Sequence, residues 1–583
     1  MNILGINAYH GDSSACLVID GKLVAAAEEE RFRRIKHWAG FPSESIRYCL
    51  KEANLSIQNI DHVAVNSNPK ANLGKKLIYV LKKAPQLTYI FDRVRHASKR
   101  YAIQQDFEKE FSVVLSQEKI HRVEHHLCHM SSCYSVSPFK QAVVVSVDGF
   151  GDFASAAWGV GHGRQIQIDQ KVYFPHSLGL FYQALTQYLG FPNYGDEYKL
   201  MGLTAYGEPK YLPQMKEIVH VYPDGKFALN IKYFLHDHRK FTFQWEKGSP
   251  VVGQIFSDKL ETLLGQPPRK AEEPVSQWHK DVAASVQAMY ETAFFNILNK
   301  AYEKYNISDL ALAGGCAMNS LANGRIYKNT SYKRVYIQSA AGDAGGAIGA
   351  AFAIWNELST NHESFFMNHA YWGPHYDSKQ IKEVLNEQED KLQEQGIHLE
   401  YIESEDELCK KTAQVVSQGN VIGWFQGRME WGPRALGNRS IVCDPRRADM
   451  KDILNLKIKR RESFRPFAPS VLREETSEWF EYDDDVPFMM KVFPIRKEKQ
   501  SQIPAVTHVD GTGRLQTVSM TTNPRYYKLI QAFKEITGVP MVLNTSFNEN
   551  EPIVLNPQQA LDCFLRTKMD VLVLGNYFLR RTK

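Results

Sequence analysis

Short apolar blocks separated by polar turns open the chain, and their spacing predicts β-hairpins. Residues 1–6 are mostly apolar and predict a first strand. A polar, glycine-containing stretch then leads into a second apolar strand at residues 16–19. Asp20 and Gly21 separate that strand from a third at residues 22–27, and an Asp-Gly pair between apolar runs favours a tight hairpin turn.

The same pattern returns farther along the chain. Residues 143–148 form an apolar run, residues 149–152 form a turn rich in glycine and aspartate, and residues 154–160 predict another strand. Gly161 and Gly163 mark the turn after it. This duplicated pattern resembles the two halves of the actin-like (ASKHA) ATPase superfamily, in which phosphate groups lie between the halves.

Two later apolar runs end in glycine-rich turns, which suit anion binding. Glycine allows close backbone approach, and the N-terminus of a following helix presents free N–H groups. After the first of these turns we expect a helix over residues 317–319. The candidate nucleotide-binding residues of this part of the chain are Lys199, Gly314, Gly315, Asn319 and Gly342.

A pair of histidines gives the chain its clearest metal-binding pattern. His125 and His129 are four residues apart, so on a helix both imidazoles lie on one face. Asp148 and Asp343 each lie in a glycine-rich turn and can complete a site with nitrogen and oxygen ligands. Histidines at this spacing are also common in ordinary helices, and the two aspartates are what favour a metal site.

The last third of the chain carries many cations in glycine-interrupted loops. A predicted strand at residues 421–425 leads into a loop with three arginines, which suit bidentate contact with phosphate or carboxylate. More cations and a polar run after a later strand follow. The candidate phosphate- or substrate-binding residues here are Arg428, Arg434, Arg439, Lys459, Arg461, Arg465, Arg514, Asn544, Ser546 and Asn548.

Composition narrows the class of protein. The length of 583 residues favours more than one domain, and the net charge of +5 gives no argument for nucleic acid as a partner. Neither an apolar run long enough to span a bilayer nor a secretory leader is evident. The eight cysteines are scattered, which predicts reduced thiols in a cytoplasmic protein without a membrane partner.

One basic segment, residues 70–100, has two interpretations. Its cations are interleaved with Leu, Ile, Tyr and Phe, which predicts amphipathic helices. Such helices present either a solvated surface or a surface for an acidic or RNA partner. The cations are Lys70, Lys75, Lys76, Lys82, Lys83, Arg93, Arg95, Lys99 and Arg100.

Taken together and in order, these motifs resemble the NodU/CmcH family of O-carbamoyltransferases over essentially the whole length. The resemblance implies an α/β protein with two domains. Residues 1–360 would form an actin-like, TsaD-like transfer domain. Residues 375–583 would form a YrdC-like α/β domain with a twisted mixed sheet that makes a carbamoyl adenylate. The motifs include the segments at residues 12–15, 28–31, 125–129, 199–203, 314–319, 342–345, 431–439, 461–470 and 544–548.

The resemblance also implies site residues. The metal ligands would be His125, His129, Asp148 and Asp343, with Fe(II) as the expected metal, although manganese or zinc would suit the same ligands. Asp148 stands where TsaD proteins tend to have a tyrosine, which argues against tRNA modification. In the second domain, Lys459 and Arg461 match a Lys-x-Arg element, and Ser546 and Asn548 match a Ser-x-Asn element.

The implied reaction uses carbamoyl phosphate and Mg-ATP to form carbamoyl-AMP with release of phosphate and pyrophosphate. The carbamoyl group then passes to a hydroxyl of a small natural product, as in antibiotic biosynthesis. Arg434, Lys459, Arg465 and Arg514 would neutralise the phosphates. His10 is the preferred base for the acceptor hydroxyl, and Asp12 is a second candidate.

Three alternatives remain open at this point. A threonylcarbamoyl-type tRNA-modifying enzyme would explain the basic segment. A carbamoyl-phosphate or nucleotide sensor would keep the binding residues without turnover. A sugar kinase of the actin-like class would explain the first domain and leave the last third of the chain without a role.

Overall fold

The chain folds into two compact units, Met1–Met367 and Asn368–Lys583. The division falls between the expected end of the first domain at residue 360 and the expected start of the second at residue 375. The computed structural model describes residues 1–83, 103–237, 243–246, 248–361, 363–459, 462 and 464–582.

A five-stranded mixed sheet begins the first unit. The strand order is β3-β2-β1-β4-β5; the first three strands form an antiparallel meander, and β4 and β5 run parallel to β1. The predicted Asp20-Gly21 turn joins β2 and β3, with both residues at positive φ as a tight hairpin requires. The strands are β1 (Asn2–Asn7), β2 (Ser14–Ile19), β3 (Lys22–Glu28), β4 (His62–Val65) and β5 (Ile120–Arg122).

A second five-stranded sheet repeats this topology. Its order is β10-β9-β6-β7-β8, again with three antiparallel strands followed by two that run parallel to the first. The predicted duplication is therefore present, and the unit has the actin-like α/β arrangement. The strands are β6 (Gln141–Gly151), β7 (Ala154–His162), β8 (Gln165–Tyr173), β9 (Asp309–Ala313) and β10 (Arg334–Tyr336).

Helices cover these sheets. One core lies under the first sheet, where its apolar residues pack against α2 and α4; another lies between the second sheet and α5. Two short hairpins pair Val219–Val221 with Phe227–Leu229 and Phe243–Glu246 with Ser249–Val252. The helices of the described part of this unit are α1 (Glu30–Arg33), α2 (Ser43–Glu52), α3 (Leu73–Lys83), α4 (Ile103–Phe111), α5 (His125–Tyr134), α6 (Leu178–Tyr188), α7 (Glu197–Leu203), α8 (Leu212–Ile218), α9 (Lys259–Leu264), α10 (Gln277–Tyr305), α11 (Ser320–Gly324), α12 (Ile326–Asn329) and α13 (Gly346–Leu358).

The helix expected over residues 317–319 is displaced in the structure. A 3₁₀ turn, Gly315–Met318, follows β9, and α11 begins only at Ser320. The Asn319 side chain accepts a hydrogen bond from the Ala322 N–H at 3.0 Å, so Asn319 is the N-cap of α11. The prediction placed the start of the helix too early because apolar residues fill the turn.

The second unit is built on a mixed eight-stranded sheet. Its order is β11-β18-β17-β12-β13-β16-β14-β15, with β17 parallel to β12 and β14 parallel to β15. The strands are β11 (Ile397–Tyr401), β12 (Ile422–Phe425), β13 (Arg439–Cys443), β14 (Ala468–Leu472), β15 (Gln516–Val518), β16 (Met541–Ser546), β17 (Val571–Leu574) and β18 (Tyr577–Arg581). The helices are α14 (Ser378–Glu387), α15 (Glu389–Glu394), α16 (Glu405–Ser417), α17 (Met450–Leu454), α18 (Thr476–Trp479), α19 (Lys497–Gln500), α20 (Pro524–Thr537) and α21 (Pro557–Arg566).

Candidate functional site

Helix α5 carries the two histidines of the first unit. The Glu124 carboxylate caps its N-terminus by accepting the Leu127 N–H at 2.8 Å. His125 and His129 are fully buried, and their Nε2 atoms lie 3.0 Å apart. The i, i+4 spacing therefore brings both imidazoles to one point, as the sequence pattern predicts.

Two aspartates from the second sheet and a distant turn meet these histidines. Asp148 lies on β6, and its Oδ2 is 3.0 Å from His125 Nε2 and 3.4 Å from His129 Nε2. Asp343 begins the 3₁₀ turn before α13, and its Oδ1 is 3.6 Å and 3.4 Å from the same two nitrogens. One donor atom from each of the four residues lies within 4.8 Å of all the others.

Buried charges of opposite sign shape the protonation of this four-residue cluster. Burial would raise the pKa of Asp148, but His129 and His125 hold it well below its usual range. Burial would lower the pKa of His129, but Asp148 and Asp343 raise it to about 10. Burial and the Asp148 carboxylate together raise the pKa of Asp343. A shared cation would satisfy both carboxylates at once.

The donor set fits a divalent metal. Two imidazole nitrogens 3.0 Å apart cannot both carry a proton, whereas both can face one cation. The separations of 3.0–3.6 Å are close to those expected, about 3–3.5 Å, between adjacent ligands with bonds of about 2.0–2.2 Å. Two imidazoles and two carboxylates suit Fe(II), manganese or zinc. His125, His129, Asp148 and Asp343 would hold the ion.

Main-chain groups fix the acidic ligand on β6. Asp148 Oδ1 accepts the Gly315 N–H at 2.7 Å, which leaves Oδ2 to face the histidines. Gly314 has φ +93°, and a Cβ there would lie 2.1 Å from the Val147 carbonyl oxygen. Gly314 therefore allows the end of β9 to pack closely against β6, because only glycine fits the positive φ and the short distance to the Val147 carbonyl.

The buried carboxylate of Asp152 joins the histidine helix to the first sheet. Its Oδ2 accepts the His125 N–H at 3.0 Å and the Asn68 N–H at 2.7 Å, and its Oδ1 accepts the Ser67 hydroxyl at 3.2 Å. Ser67 and Asn68 follow β4. One side chain in the β6–β7 turn thus connects the start of α5 to the end of a strand in the other half.

We expect Gly151→Ala to weaken metal binding at least tenfold, by about 1.4 kcal/mol or more. A Cβ at Gly151 would lie 2.0 Å from His125 Cγ and Cδ2, so the imidazole must move. Metal titration of the apo-protein measures this. Gly149→Ala is the matched control, since a Cβ there meets nothing within 4 Å. Equal affinity in both variants would contradict the placement of His125.

A second group of polar residues lies beside this cluster. The His10 ring centroid is 5.4 Å from that of His125, and His10 is buried. Asp12 Oδ1 lies 2.7 Å from His37 Nδ1, and Asp12 and Glu30 raise the pKa of His37 to about 9 against the effect of burial. Sequence reasoning missed His37, because no spacing pattern links it to Asp12.

Other predicted nucleotide-binding residues of the first unit have structural partners. Lys199 Nζ lies 2.9 Å from Asp196 Oδ1 and 5.5 Å from the centroid of the Phe191 ring. Asn319 caps α11 and donates from Nδ2 to Gln287 Oε1 at 3.0 Å. Gly342 immediately precedes Asp343. Their contact with nucleotide stays a prediction.

In the second unit, a glutamate organises the arginine-rich loop. Glu430 Oε1 accepts three main-chain N–H groups, from Leu436, Asn438 and Arg439, at 2.7, 2.8 and 3.1 Å. The loop that carries Arg434 is therefore held in one shape by a buried carboxylate. Arg434 itself is half-buried.

Arg439 and Arg428, both predicted to bind substrate, face the main chain. The fully buried Arg439 guanidinium donates to the carbonyl oxygens of Gln426 at 2.5 Å and Pro374 at 3.1 Å. It also lies 3.7 Å from the centroid of the Phe425 ring. Arg428 donates to the Trp372 carbonyl at 2.8 Å. The buried Arg439 guanidinium therefore has a structural role, and its contact with substrate stays a prediction.

We expect Arg439→Ala to lower the free energy of unfolding of the second unit by about 3 kcal/mol, because several buried carbonyls lose a charged donor. Denaturant unfolding followed by tryptophan fluorescence measures it. Arg447→Ala is the control, since that arginine pairs with the exposed Asp449 and its loss changes stability by less than about 1 kcal/mol. Unchanged stability in Arg439→Ala would restore a substrate role.

Lys459 is a buried cation of this unit, and it contacts the predicted polar run at residues 544–548. It ends a π-helical turn, Asn455–Lys459, and its Nζ lies 2.6 Å from the Ser546 carbonyl oxygen and 2.7 Å from Asn548 Oδ1. Asn544 donates to Ser470 Oγ and Gln516 Oε1 at 3.0 and 3.1 Å. The structure thus brings Lys459, Ser546 and Asn548 together, as the two short motifs predict.

Three predicted phosphate-binding cations remain: Arg461, Arg465 and Arg514. Arg465 Nη1 lies 3.6 Å from Glu462 Oε2, and Arg514 is half-buried. Arg461 lies outside the described residues.

Comparison with known proteins decides the family. A family model described as carbamoyltransferase N-terminus matches residues 2–352, and one described as carbamoyltransferase C-terminus matches residues 413–581. The chain belongs to the carbamoyltransferase family. This carbamoyltransferase is therefore a transferase enzyme, and both units correspond to parts of the family's common sequence.

Similar proteins agree with the family. The carbamoyltransferase is 40% identical to an uncharacterized protein of Synechocystis sp., covering 100% of this chain and 97% of that protein. It is 38% identical to nodulation protein NolNO of Sinorhizobium fredii, covering 99% and 80%. It is 31% identical to the 3'-hydroxymethylcephem-O-carbamoyltransferase of Amycolatopsis lactamdurans, covering 47% and 49%. These likenesses confirm the NodU/CmcH resemblance and support carbamoyl transfer to a hydroxyl.

None of the helices in the described ranges is both long enough and apolar enough to cross a bilayer.

Proposed function

We propose that this carbamoyltransferase activates carbamoyl phosphate with ATP and passes the carbamoyl group to a hydroxyl of a small natural product. The observation that carries the proposal is the buried His125, His129, Asp148 and Asp343 cluster, in a chain that matches both carbamoyltransferase family models. The cluster supplies a metal site, and the second unit supplies the buried Lys459 and several half-buried arginines for phosphate groups.

The second unit is proposed to be the YrdC-like adenylating domain. Carbamoyl phosphate and water give carbamate and phosphate. A carbamate oxygen then attacks the α-phosphorus of ATP, which forms carbamoyl-AMP and releases pyrophosphate. Lys459, Arg434, Arg465 and Arg514 would neutralise the phosphates. Lys459 supports this role because its buried ammonium is held in a defined position by oxygens of Ser546 and Asn548, the residues of the second short motif.

The first unit is proposed to catalyse the transfer. The acceptor oxygen attacks the carbamoyl carbon, its proton passes to a base, and AMP leaves. A divalent metal, with Fe(II) the one the family resemblance suggests, would supply Lewis acidity at this site. His10 is close to His125 and is the proposed base. Asp12 is placed to hold His37, which favours a positioning role for Asp12.

The names of the relatives indicate the proposed class of acceptor. The Amycolatopsis enzyme is named for carbamoyl transfer to a hydroxymethyl group of a cephem, and other relatives are named as nodulation proteins. A hydroxylated secondary metabolite is therefore the proposed acceptor, with carbamoyl phosphate and ATP as co-substrates and a cytoplasmic site of action.

The test of this proposal needs no acceptor. Purified, metal-loaded protein is incubated with Mg-ATP and carbamoyl phosphate, and pyrophosphate release is measured. We expect release that depends on carbamoyl phosphate. No release from folded protein, with or without a panel of hydroxylated acceptors, would overturn the adenylating mechanism. Release with threonine and bicarbonate in place of carbamoyl phosphate would favour the tRNA-type chemistry instead.

A further inference from the structure

Among the described residues, helix α3, Leu73–Lys83, contacts the first unit through Tyr79 and Lys76 on one face. The Tyr79 ring packs on Phe153 and Phe174, with centroids 5.7 and 5.2 Å away, and its hydroxyl donates to Asp237. Lys76 Nζ donates to the Pro69 carbonyl at 2.8 Å. These contacts settle which side of the helix faces the protein.

The opposite side of α3 presents an apolar stripe, which we call the α3 stripe. Its members are separated by four residues or lie beside such positions, so they share one face of the helix. Their exposed fractions are high for aliphatic side chains. They are Leu73 at 57%, Leu77 at 61%, Ile78 at 48% and Leu81 at 71%.

The charge of the helix is entirely positive. Its eleven residues include Lys75, Lys76, Lys82 and Lys83 and no aspartate or glutamate. Lys75 is exposed, and its Nζ lies 5.3 Å from the centroid of the Tyr173 ring. The rest of the basic segment, residues 84–100, lies outside the described residues; its sequence adds four arginines and lysines against one aspartate.

We infer that α3 is a peripheral docking surface for an anionic lipid bilayer. Exposed aliphatic side chains on one face of a helix that carries four lysines and no acid match a helix that lies in the interface between headgroups and acyl chains. The apolar residues enter the upper acyl region, and the exposed Lys75 meets negatively charged headgroups. This surface contact needs no spanning helix, and it revises the expectation that the protein has no membrane partner.

The positive charge of α3 favours an anionic bilayer over a protein as the partner of this surface. A protein partner for the α3 stripe would have to bring acids to the lysines and also cover four separate aliphatic side chains. A bilayer with anionic lipid meets both needs with one surface. Sequence analysis left the basic segment between a solvated surface and an acidic or RNA partner; for the part of it within α3, lipid headgroups are the proposed acidic partner.

Vesicle flotation tests the inference on the full-length protein. At about 0.1 M NaCl, where charges are screened beyond about 10 Å, we expect co-flotation with phosphatidylcholine vesicles that contain about 30% phosphatidylglycerol. Flotation with phosphatidylcholine alone should be at least about fivefold lower. The variant Leu77→Glu with Leu81→Glu should lose about tenfold or more of its partition, since both exposed side chains then carry charge.

A matched control isolates the α3 stripe. Ile536→Glu replaces an aliphatic side chain that is 44% exposed on α20, in the other unit, and should float as the wild type does. Absence of wild-type flotation with anionic vesicles, or equal flotation of the double variant, would overturn the inference. So would light scattering that shows a wild-type dimer and a monomeric double variant, because the stripe would then be an interface between copies.

Discussion

Replacing His129 with alanine is expected to leave the enzyme without bound metal and to reduce carbamoyl transfer to below about 1% of the wild-type rate. The His129 Nε2 atom lies 3.0–3.4 Å from donor atoms of His125, Asp148 and Asp343, so it is shared among all three partners. Without it, the site keeps one imidazole, and affinity should fall by more than the roughly 10–100-fold seen for supporting residues. Metal content per chain, measured by mass spectrometry, gives the result independently of any acceptor.

His126→Ala is the control for this experiment. His126 is equally buried on the same helix, but its Nδ1 lies 2.9 Å from Ser146 Oγ and it is not part of the four-residue cluster. It should retain about one metal ion per chain. Pyrophosphate release should survive in His129→Ala, because the proposed adenylating residues belong to the other unit. Full metal content in His129→Ala would remove this cluster as the metal site.

Lys459→Ala is expected to reduce carbamoyl-phosphate-dependent pyrophosphate release by about 10²–10³-fold, or about 2.7–4 kcal/mol of transition-state stabilisation. The ammonium is buried and held in place by Ser546 and Asn548, so the alanine variant loses a positioned positive charge. The rate with saturating ATP and carbamoyl phosphate measures this loss. Thermal unfolding of the same variant shows whether the second unit still folds.

Lys457→Ala supplies the comparison. Lys457 stands two residues earlier in the same π-helical turn, but its Nζ lies 2.7 and 2.8 Å from the two carboxylate oxygens of Asp570. Its charge is already balanced, so its loss should change the rate less than about threefold. If folded Lys459→Ala released pyrophosphate at the wild-type rate, adenylation by this unit would have to use other residues.

The features predicted correctly from the sequence are those that depend on neighbouring residues in the chain. The Asp20-Gly21 turn needs positive φ at both positions, and the Asp-Gly pair indicates this directly. The spacing of His125 and His129 likewise predicts that their side chains converge on a helix. Asp148 and Asp343 are both predicted from the glycines beside them, although the structure places Asp148 within β6 and only Asp343 in a turn.

Features set by distant packing were not predictable in this way. Arg439 has the same local context as a phosphate-binding arginine, and only the surrounding carbonyls and Phe425 show that it stabilises the fold. His37 reaches Asp12 across 25 residues of chain, a contact that no periodicity records. Helix α11 begins after the Asn319 cap. The apolar residues of the preceding turn led to a predicted start that was too early.

The buried carboxylate of Asp152 has a mechanical consequence. Asp152, in the β6–β7 turn of the second sheet, accepts hydrogen bonds from His125, Ser67 and Asn68, which follow β5 and β4 of the first sheet, so it joins the two halves of the first unit at this point. A movement of one half relative to the other is therefore expected to displace residues far from Asp152 more than the His125 cluster beside it.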